Sequence, residues 1–541
     1  MNTETIYFTP LGGLKQIGSN MMLIETHSAS FLIDCGILFS NDEAFDIEHL
    51  FPDLSFIKND PEYLIITHAH EDHIGGVSHI VKKYPNIKIY ASEFTSIFLK
   101  KKIDKIKIEK NIIIFRYNDI LEIGDLKIQQ IHFNHSIPET RGLFISNKDI
   151  CLLYISDFKI DFAPEFEEKT DLSKLKLISK DFKKRFLLAD STNVLSKNEK
   201  TPGENTLLPV IQNIIKEHEG RVFITFFASN IFRLKYILKI SSNLNKKVYL
   251  HGRSMLSAFH IAIESGILGD EKSCVINPEG EDDFTFDDKK IVILLAGCQA
   301  DLKSSFRRVA QGEDKIFIPQ NSDLFIMSSK SIPGNEKKIT NALNSISETG
   351  AKIIMSEVEH VHVSGHPGKE DLKILIDEFA PTDYLPIHGE SVLLDFNAKF
   401  VKSLSRNIHT HKIKNYDTLI ISATTTSVSV NNTPPIPILY HGEKIVPLEK
   451  DKLNERKKIA RSGLVIITIF DAKKFLIKTL GICDLGNSQN EKLERILKTE
   501  LPYILKRDSD FQTIEKDLKI TVRKHYNQLI GQKPVVIVQL I

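Results

Sequence analysis

Thr67-His68-Ala69-His70-Glu71-Asp72-His73 is the stretch on which the reading of this chain turns. It follows Glu62-Tyr63-Leu64-Ile65-Ile66, whose length and β-branched content are those of a short buried strand. Imidazole and carboxylate are suitable ligands for zinc or manganese. At the mouth of a strand alternate residues point the same way, so His68 and His70 can reach one ion. Asp72 and His73 lie past the turn and can reach a second position. Two divalent ions about 3.5–4 Å apart clamp both the attacking and the leaving oxygen of a phosphodiester. So dense a run of ligand-type side chains makes a plain polar surface loop the weaker reading.

Further ligand types stand at the ends of other predicted strands. Asp34 follows Ser30-Phe31-Leu32-Ile33, and Asp157 follows Ile150-Cys151-Leu152-Leu153-Tyr154-Ile155. His135 sits in Asn134-His135-Ser136-Ile137-Pro138. Singly, each is an ordinary strand-end histidine or turn aspartate. As a set, they are what a metal site built on the edge of one sheet needs.

Composition sets the outer bounds. The 541 residues are 42% apolar and 26% charged, the balance of an ordinary globular protein. That length suits three or four domains at about 150 residues each. No apolar run approaches the ~18 residues of a membrane helix. No basic-then-apolar leader precedes the first strand, Ile6-Tyr7-Phe8-Thr9-Pro10. These features predict a cytoplasmic protein with no membrane association. The five cysteines, Cys35, Cys151, Cys274, Cys298 and Cys483, are odd in number and include no Cys-x-x-Cys pair. That argues against a disulfide framework and against a thiolate zinc site. The net charge of +1 gives no sign of a nucleic-acid binder. The local run Lys100, Lys101, Lys102, Lys105, Lys107 and Lys110 reads better as a solvated surface.

The first ~160 residues alternate short strands with turns and a few helices. Between about 205 and 350 the rhythm becomes βαβα: strands near 221–227, 247–250 and 291–296 each lead into a helix. That pattern predicts a separate parallel α/β sheet. Short strands return from 351 to 435 with two more histidine-bearing loops. Asn431-Asn432-Thr433-Pro434-Pro435-Ile436-Pro437 is the clearest linker signal. Beyond it a hairpin across Asp471-Ala472, two helices and a closing strand predict a small αβ unit, with a role in oligomerisation or substrate placement.

At this point the chain resembles the β-CASP branch of the metallo-β-lactamase superfamily, and within it the bacterial ribonuclease J family. The matching segments span nearly the whole chain. They include Pro10-Leu11-Gly12-Gly13, Ile33-Asp34-Cys35-Gly36, Thr67 to Gly76, His135 to Pro138, Asp157-Phe158-Lys159 and Asp190-Ser191-Thr192-Asn193. Later come Phe227-Ala228-Ser229-Asn230, Gly252 to Met255, Ile332 to Glu336, His362-Val363-Ser364-Gly365-His366 and Pro386-Ile387-His388-Gly389-Glu390. The last two, in that order after an inserted α/β region, are highly specific together.

The resemblance implies an αββα metallo-β-lactamase sandwich, an α/β fold, with an inserted α/β β-CASP domain and a small C-terminal αβ domain. The expected division is 1–204 for the first part of the sandwich, 205–350 for the insert and 351–435 for the second part. A linker over 436–455 and a terminal domain over 456–541 follow. It implies two divalent ions per chain, zinc or manganese, with magnesium a further candidate. His68, His70 and His135 would hold one, Asp72, His73 and His388 the other, and Asp157 would bridge them. Asp34 would orient a ligand histidine by hydrogen bond. Asp190 and His366 would complete the catalytic site, with His366 as proton donor to the leaving oxygen or as a contact to the scissile phosphate.

The implied activity is 5′→3′ exonucleolytic cleavage of 5′-monophosphate RNA plus internal cleavage, in RNA maturation and mRNA decay. The implied partners are single-stranded RNA, further copies of the chain in a homodimer or homotetramer, and other RNA-decay enzymes. Ser229, Asn230, His362, Val363, Ser364, Gly365 and His366 would form the substrate and 5′-phosphate pocket. Ser229 and Asn230 equally suit a helix N-cap before Ile231, and a helix N-terminus favours phosphate in either case. His388 matches the RNA-processing members of the wider group, where DNA enzymes carry valine.

Three departures stand out. Gly297-Cys298-Gln299-Ala300-Asp301-Leu302 replaces the usual Gly-x-Gln-Gly-Glu-Pro, which is expected to reshape a loop of the insert. Ser156 replaces a glycine before Asp157, with little effect expected on metal binding. Phe232 stands where many relatives have histidine, and puts one RNA contact in doubt. Partner contacts through long terminal extensions are not expected. Two other readings compete: a catalytically weak RNA-binding scaffold, against which the complete ligand set speaks, and a different hydrolase on the same metal fold, against which the insert and His362 to His366 speak.

Overall fold

A computed structural model describes residues 5–40, 47–108, 110, 112–279, 290–404, 407–446, 450–482, 487–507 and 510–541. Cys483 lies outside the described residues; Cys35, Cys151, Cys274 and Cys298 are buried free thiols.

Two sheets face each other. One has eight strands in the order 426–429, 418–421, 6–10, 22–25, 30–33, 63–65, 88–91, 112–114. The other has seven, in the order 120–123, 126–132, 141–146, 150–155, 184–190, 383–387, 409–410. The two-residue period of a strand explains the layering. In Ile150–Ile155, Ile150, Leu152 and Tyr154 pack inward with Phe8, Ile24, Phe31 and Ile65 of the facing sheet. Cys151, Leu153 and Ile155 pack outward against Leu372, Leu375, Ile376 and Phe379, on helix Lys369–Phe379. Helices Val77–Lys83 and Glu93–Lys105 cover the outer face of the first sheet. The result is the αββα sandwich.

The insert is a five-stranded, wholly parallel sheet in the order 247–251, 291–295, 222–225, 324–327, 352–355. Its strands are continuous apolar runs because both faces are covered by helices. Val222 and Ile224 face helices Leu208–Glu217 and Ile231–Asn243, while Phe223 faces Phe306 and Phe317. In the altered loop Ala300 holds a left-handed backbone of the kind glycine favours, φ +56°, and is fully buried. A left-handed alanine costs roughly 1 kcal/mol or more. Burial of its methyl in the core beside Phe306 offsets part of that cost.

The stretch read as linker carries structure. Ile438–His441 pairs antiparallel with His49–Phe51, because Tyr440 buries its ring against His79 at 3.9 Å between centroids. Helix Lys450–Ser462 then begins a second compact unit, which comprises chiefly 444–541. That unit is a sheet of 475–480, 464–469 and 535–540, with helices Asn487–Arg507 and Phe511–Ile530 packed on one face. No helix among the described residues is long and apolar enough to cross a membrane.

Strand Asp383–Ile387 delivers a histidine to the site and is anchored at its start by a buried carboxylate. Asp383 accepts from Lys184 Nζ at 2.7 Å and from His411 Nε2 at 2.7 Å. Burial works against its charge, but His411, Lys184 and Thr382 outweigh burial and bring its pKa down to about 2. A carboxyl group lowered on folding adds stability above its unfolded pKa and loses that stability as pH falls through the folded one. Asp383→Asn is therefore expected to destabilise the sandwich by about 3 kcal/mol at pH 7. In calorimetry the gap in Tm to wild type should narrow between pH 4 and pH 2; a gap constant over that window refutes the account.

Candidate metal centre

The strand register brings the chemistry to one edge. Strands 150–155, 184–190 and 383–387 run parallel, with Ile155 opposite Ala189 and Asp190 opposite Ile387. Asp157, Asp190 and His388 therefore leave the second sheet side by side. In the first sheet Ile33 lies opposite Ile65, so Asp34 and the Thr67–His73 turn emerge together. Asp34 and His388 hold left-handed backbones, φ +61° and +50°. Such conformations cost about 1 kcal/mol or more each and cluster at functional sites.

Two ligand groups form, and they share one residue. His68, His70, His135 and Asp157 present ligand atoms within 4.8 Å of one another, as do Asp72, His73, Asp157 and His388. Asp157 Oδ2 lies 3.5 Å from His135 Nε2 and 3.8 Å from His68 Nε2. Its Oδ1 lies 3.1 Å from His73 Nε2 and 3.8 Å from His388 Nδ1. One carboxylate thus turns an oxygen to each group. His388 Nε2 is 3.2 Å from Asp72 Oδ2, and His70 Nδ1 is 3.1 Å from His135 Nε2. Asp190, His366 and His388 form a third cluster alongside, with His366 Nδ1 2.7 Å from Asp190 Oδ2.

The far side of each ring is held. His73 Nδ1 donates to Asp34 Oδ2 at 2.8 Å, and His135 Nδ1 donates to the Gly365 carbonyl at 2.7 Å. Thr67 Oγ1 donates to Asp34 Oδ2 at 2.9 Å, so it accepts from His68 Nδ1 at 3.0 Å. Thr192 Oγ1 donates to the His388 carbonyl at 3.1 Å and accepts from His388 Nδ1 at 2.9 Å. In its neutral form each of these four rings therefore turns a bare Nε2 toward the cluster. Thr67, Thr192 and the Gly365 carbonyl were assigned no such part in the sequence reading, nor was Asn20, whose Nδ2 lies 3.0 Å from His73 Nε2 and 3.2 Å from the Asp72 carbonyl. For Thr67 and Thr192 the available signal was position, since each adjoins a strand end that bears a ligand type; Gly365 and Asn20 lie at no such strand end.

The donor set fits divalent cations. Within the buried cluster, His68 Nε2 and Asp157 Oδ1 have no hydrogen-bond partner. Burial and neighbouring imidazoles hold His68 and His135 well below the usual histidine pKa, and burial holds His70 at about 4. These three rings are neutral at pH 7 and offer lone pairs. Burial also opposes charge on His73 and His388. There the carboxylates of Asp157, Asp72 and Asp34, and of Asp157, Asp190 and Asp72, outweigh burial and raise both pKa values, that of His388 to about 10. So much buried negative charge calls for cations, a demand that metal ions meet without protons.

The remaining residues fall along one loop and one helix start. Ser364 Oγ accepts from the His366 amide at 3.1 Å, and Val363 is buried. Asn230 caps helix Ile231–Asn243 by accepting from the Arg233 amide at 2.9 Å, while its Nδ2 donates to Glu204 at 3.3 Å. Ser229 is half-buried beside it. Phe232 is only 5% exposed and faces Phe166, so this position packs in the core and is not a surface contact. Ser156 is buried directly before Asp157.

Comparison with known proteins adds the following. Residues 14–140 match the metallo-β-lactamase superfamily, 219–346 the β-CASP domain of ribonuclease J, and 350–410 the Zn-dependent metallo-hydrolase RNA specificity domain. The chain is 29% identical to ribonuclease J of Sinorhizobium meliloti over 558 residues, covering 99% of this chain and 97% of that one. It is 30% identical to ribonuclease J of Mycobacterium tuberculosis over 398 residues, covering 73% and 71%. A protein of unknown function from Enterococcus faecalis shares the fold, with a TM-score of 0.53 at 14% identity over 77% of this chain and 100% of that one.

Close approach makes the centre sensitive to single methyl groups. A Cβ at Gly365 would lie 2.6 Å from His135 Cε1, and one at Gly36 would lie 1.6 Å from the Asp72 carbonyl oxygen. Gly365→Ala must displace His135 or its carbonyl partner. The expected result is a loss of metal affinity of about 10–100-fold, the range for losing a partner behind a ligand. Metal content after dialysis against graded chelator, read by elemental analysis, tests this; unchanged retention would show that the ring is not held as described.

Proposed function

This chain belongs to the ribonuclease J family, and on that premise we propose that it is a metal-dependent ribonuclease. It cleaves 5′-monophosphate RNA from the 5′ end and also cuts internally, in RNA maturation and mRNA decay. The observation that carries the reading is the pair of ligand groups sharing Asp157, with Asp190 and His366 beside them.

We assign His68, His70 and His135 to one ion, and Asp72, His73 and His388 to the other, with Asp157 between them. Zinc or manganese suits these donors, and magnesium is a further candidate. When bound, the ions supply Lewis acidity and charge neutralisation at the scissile phosphate. The protein's own groups do the rest. Asp34, Thr67, Thr192 and the Gly365 carbonyl hold the ligand rings in one orientation. Asp190 holds His366 by its Nδ1–H, which leaves Nε2 to contact the scissile phosphate or to pass a proton to the leaving oxygen.

Ser364, the Gly365 amide and His362, with Ser229 and Asn230 at a helix start, make a 5′-phosphate pocket of neutral donors. Residues 1–204 and most of 351–435 form the metal domain and 205–350, completed by strand 352–355, the insert, and single-stranded RNA passes between them. A linker over 436–455 leads to a terminal domain over 456–541, which serves a homodimer or homotetramer. Association with other RNA-decay enzymes completes the proposal.

The test uses RNA labelled at a 5′-monophosphate or 5′-triphosphate end, with Mn²⁺ or Mg²⁺ supplied. Wild type should release labelled mononucleotide rapidly from the monophosphate substrate alone. His70→Ala should lose more than the about 10–100-fold that follows loss of an outer partner. Tight RNA binding with no metal-dependent cleavage by wild type would point to a scaffold instead.

A further inference from the structure

Arg233 is the largest side chain wholly withdrawn from solvent among the described residues. Its guanidinium carries five N–H donors and no acceptor. Nε and Nη2 grip the Glu204 carboxylate, with Nη2 to Oε1 at 2.7 Å and to Oε2 at 3.0 Å. Nη2 also donates to the Val363 carbonyl at 3.2 Å. Nη1 donates to the Ser328 carbonyl at 2.6 Å and to His362 Nδ1 at 2.9 Å. Every donor direction is taken, so this arginine has none left for an RNA phosphate. Its contacts join the segment before helix Leu208–Glu217, the end of strand Leu324–Met327 and the loop that begins at His362.

The contact with His362 has a chemical consequence. A guanidinium can only donate, so Nδ1 of His362 accepts and carries no proton. The Ser328 carbonyl lies 3.2 Å from the same nitrogen, but a proton on Nδ1 would be driven against the Arg233 N–H at 2.9 Å. The ring proton therefore sits on Nε2. No described residue hydrogen-bonds Nε2, and the ring is partly exposed. Burial and the adjacent Arg233 charge also hold the His362 pKa well below its usual value, so the ring gains no second proton near pH 7. The phosphate oxygens are acceptors. The opposite tautomer would turn a lone pair toward them, and the two would repel.

We propose that Arg233, braced by Glu204, is the positioning residue that fixes the His362 proton on Nε2 and so makes this ring a donor to the 5′-phosphate of RNA. The inference rests on the 5′-phosphate reading of the His362–His366 loop given above.

Two measurements test it. The first is the ratio of kcat/KM for mononucleotide release from 5′-monophosphate RNA over the same RNA with a 5′-hydroxyl. A merely structural defect lowers both values together and leaves the ratio unchanged. Arg233→Lys keeps the charge but lacks the fork, and Glu204→Gln weakens the brace. Each is expected to lower the ratio, mainly through KM, and Arg233→Lys by about tenfold or more, the effect of one hydrogen bond to a charged group. His362→Phe keeps a ring without a donor and should lower it as much. If His362→Phe leaves the ratio intact, the 5′-phosphate reading itself fails. If His362→Phe lowers it while folded Arg233→Lys and Glu204→Gln do not, only the role of Arg233 is overturned.

The second measurement needs no Arg233 variant and no turnover. In ¹⁵N-histidine-labelled protein, the signal lost in His362→Phe should belong to an imidazole with bare Nδ1 and protonated Nε2. A signal with protonated Nδ1 overturns the proposal.

Discussion

Asp157 is the hinge of the site. A buried carboxylate between four imidazoles cannot stand alone, and each of its oxygens faces a different set of ligands. Its position follows from the parallel pairing of 150–155 with 184–190, which aims both strands at one edge. The other ligands come from the turn after 63–65, the loop after 126–132 and the end of 383–387. Strands from both sheets must end at the same level for one carboxylate to meet all four rings. The shared core of Phe8, Ile24, Phe31 and Ile65 with Leu152, Tyr154 and Leu188 sets that level.

Around this centre the structure spends hydrogen bonds on orientation. Asp34, Thr67, Thr192 and the Gly365 carbonyl each hold the far nitrogen of a histidine. Imidazole has two tautomers and a free ring flip, and only a fixed partner on one nitrogen leaves the other reliably bare. The same logic recurs away from the metals, where Arg233 acts on His362 from within the insert. In both places a group that touches no substrate decides what a histidine presents.

The candidate ligands were readable as residue types because metal binding restricts chemistry so narrowly. His68 to His73 announces itself as a cluster, and strand-end Asp34 and Asp157 join it once the strands are recognised. The βαβα rhythm from 205 to 350 was equally plain, since a parallel sheet covered on both faces leaves uninterrupted apolar strands. The stretch 436–455 was legible only in part, for a local reason. Its Pro-rich start masked Ile438–His441, a strand whose pairing partner lies at His49–Phe51, nearly four hundred residues earlier. Phe232 could be flagged as a departure, but only its packing with Phe166 shows that the position belongs to the core.

By itself, then, the sequence determined the chemistry on offer: which side chains can bind a divalent ion, which segments must be strands, and where an α/β insert interrupts them. These are properties of residue type and short-range period. Tertiary structure alone decided which oxygen of Asp157 faces which group, which nitrogen of each histidine is turned to the cluster, and that Asn230 caps a helix and donates to Glu204. Those facts depend on contacts between residues far apart in the chain, such as Gly365 with His135 or Ser328 with Arg233, and no local pattern encodes them. A proton's place on an imidazole is set by the one partner within about 3 Å of it, and only the folded chain supplies that partner.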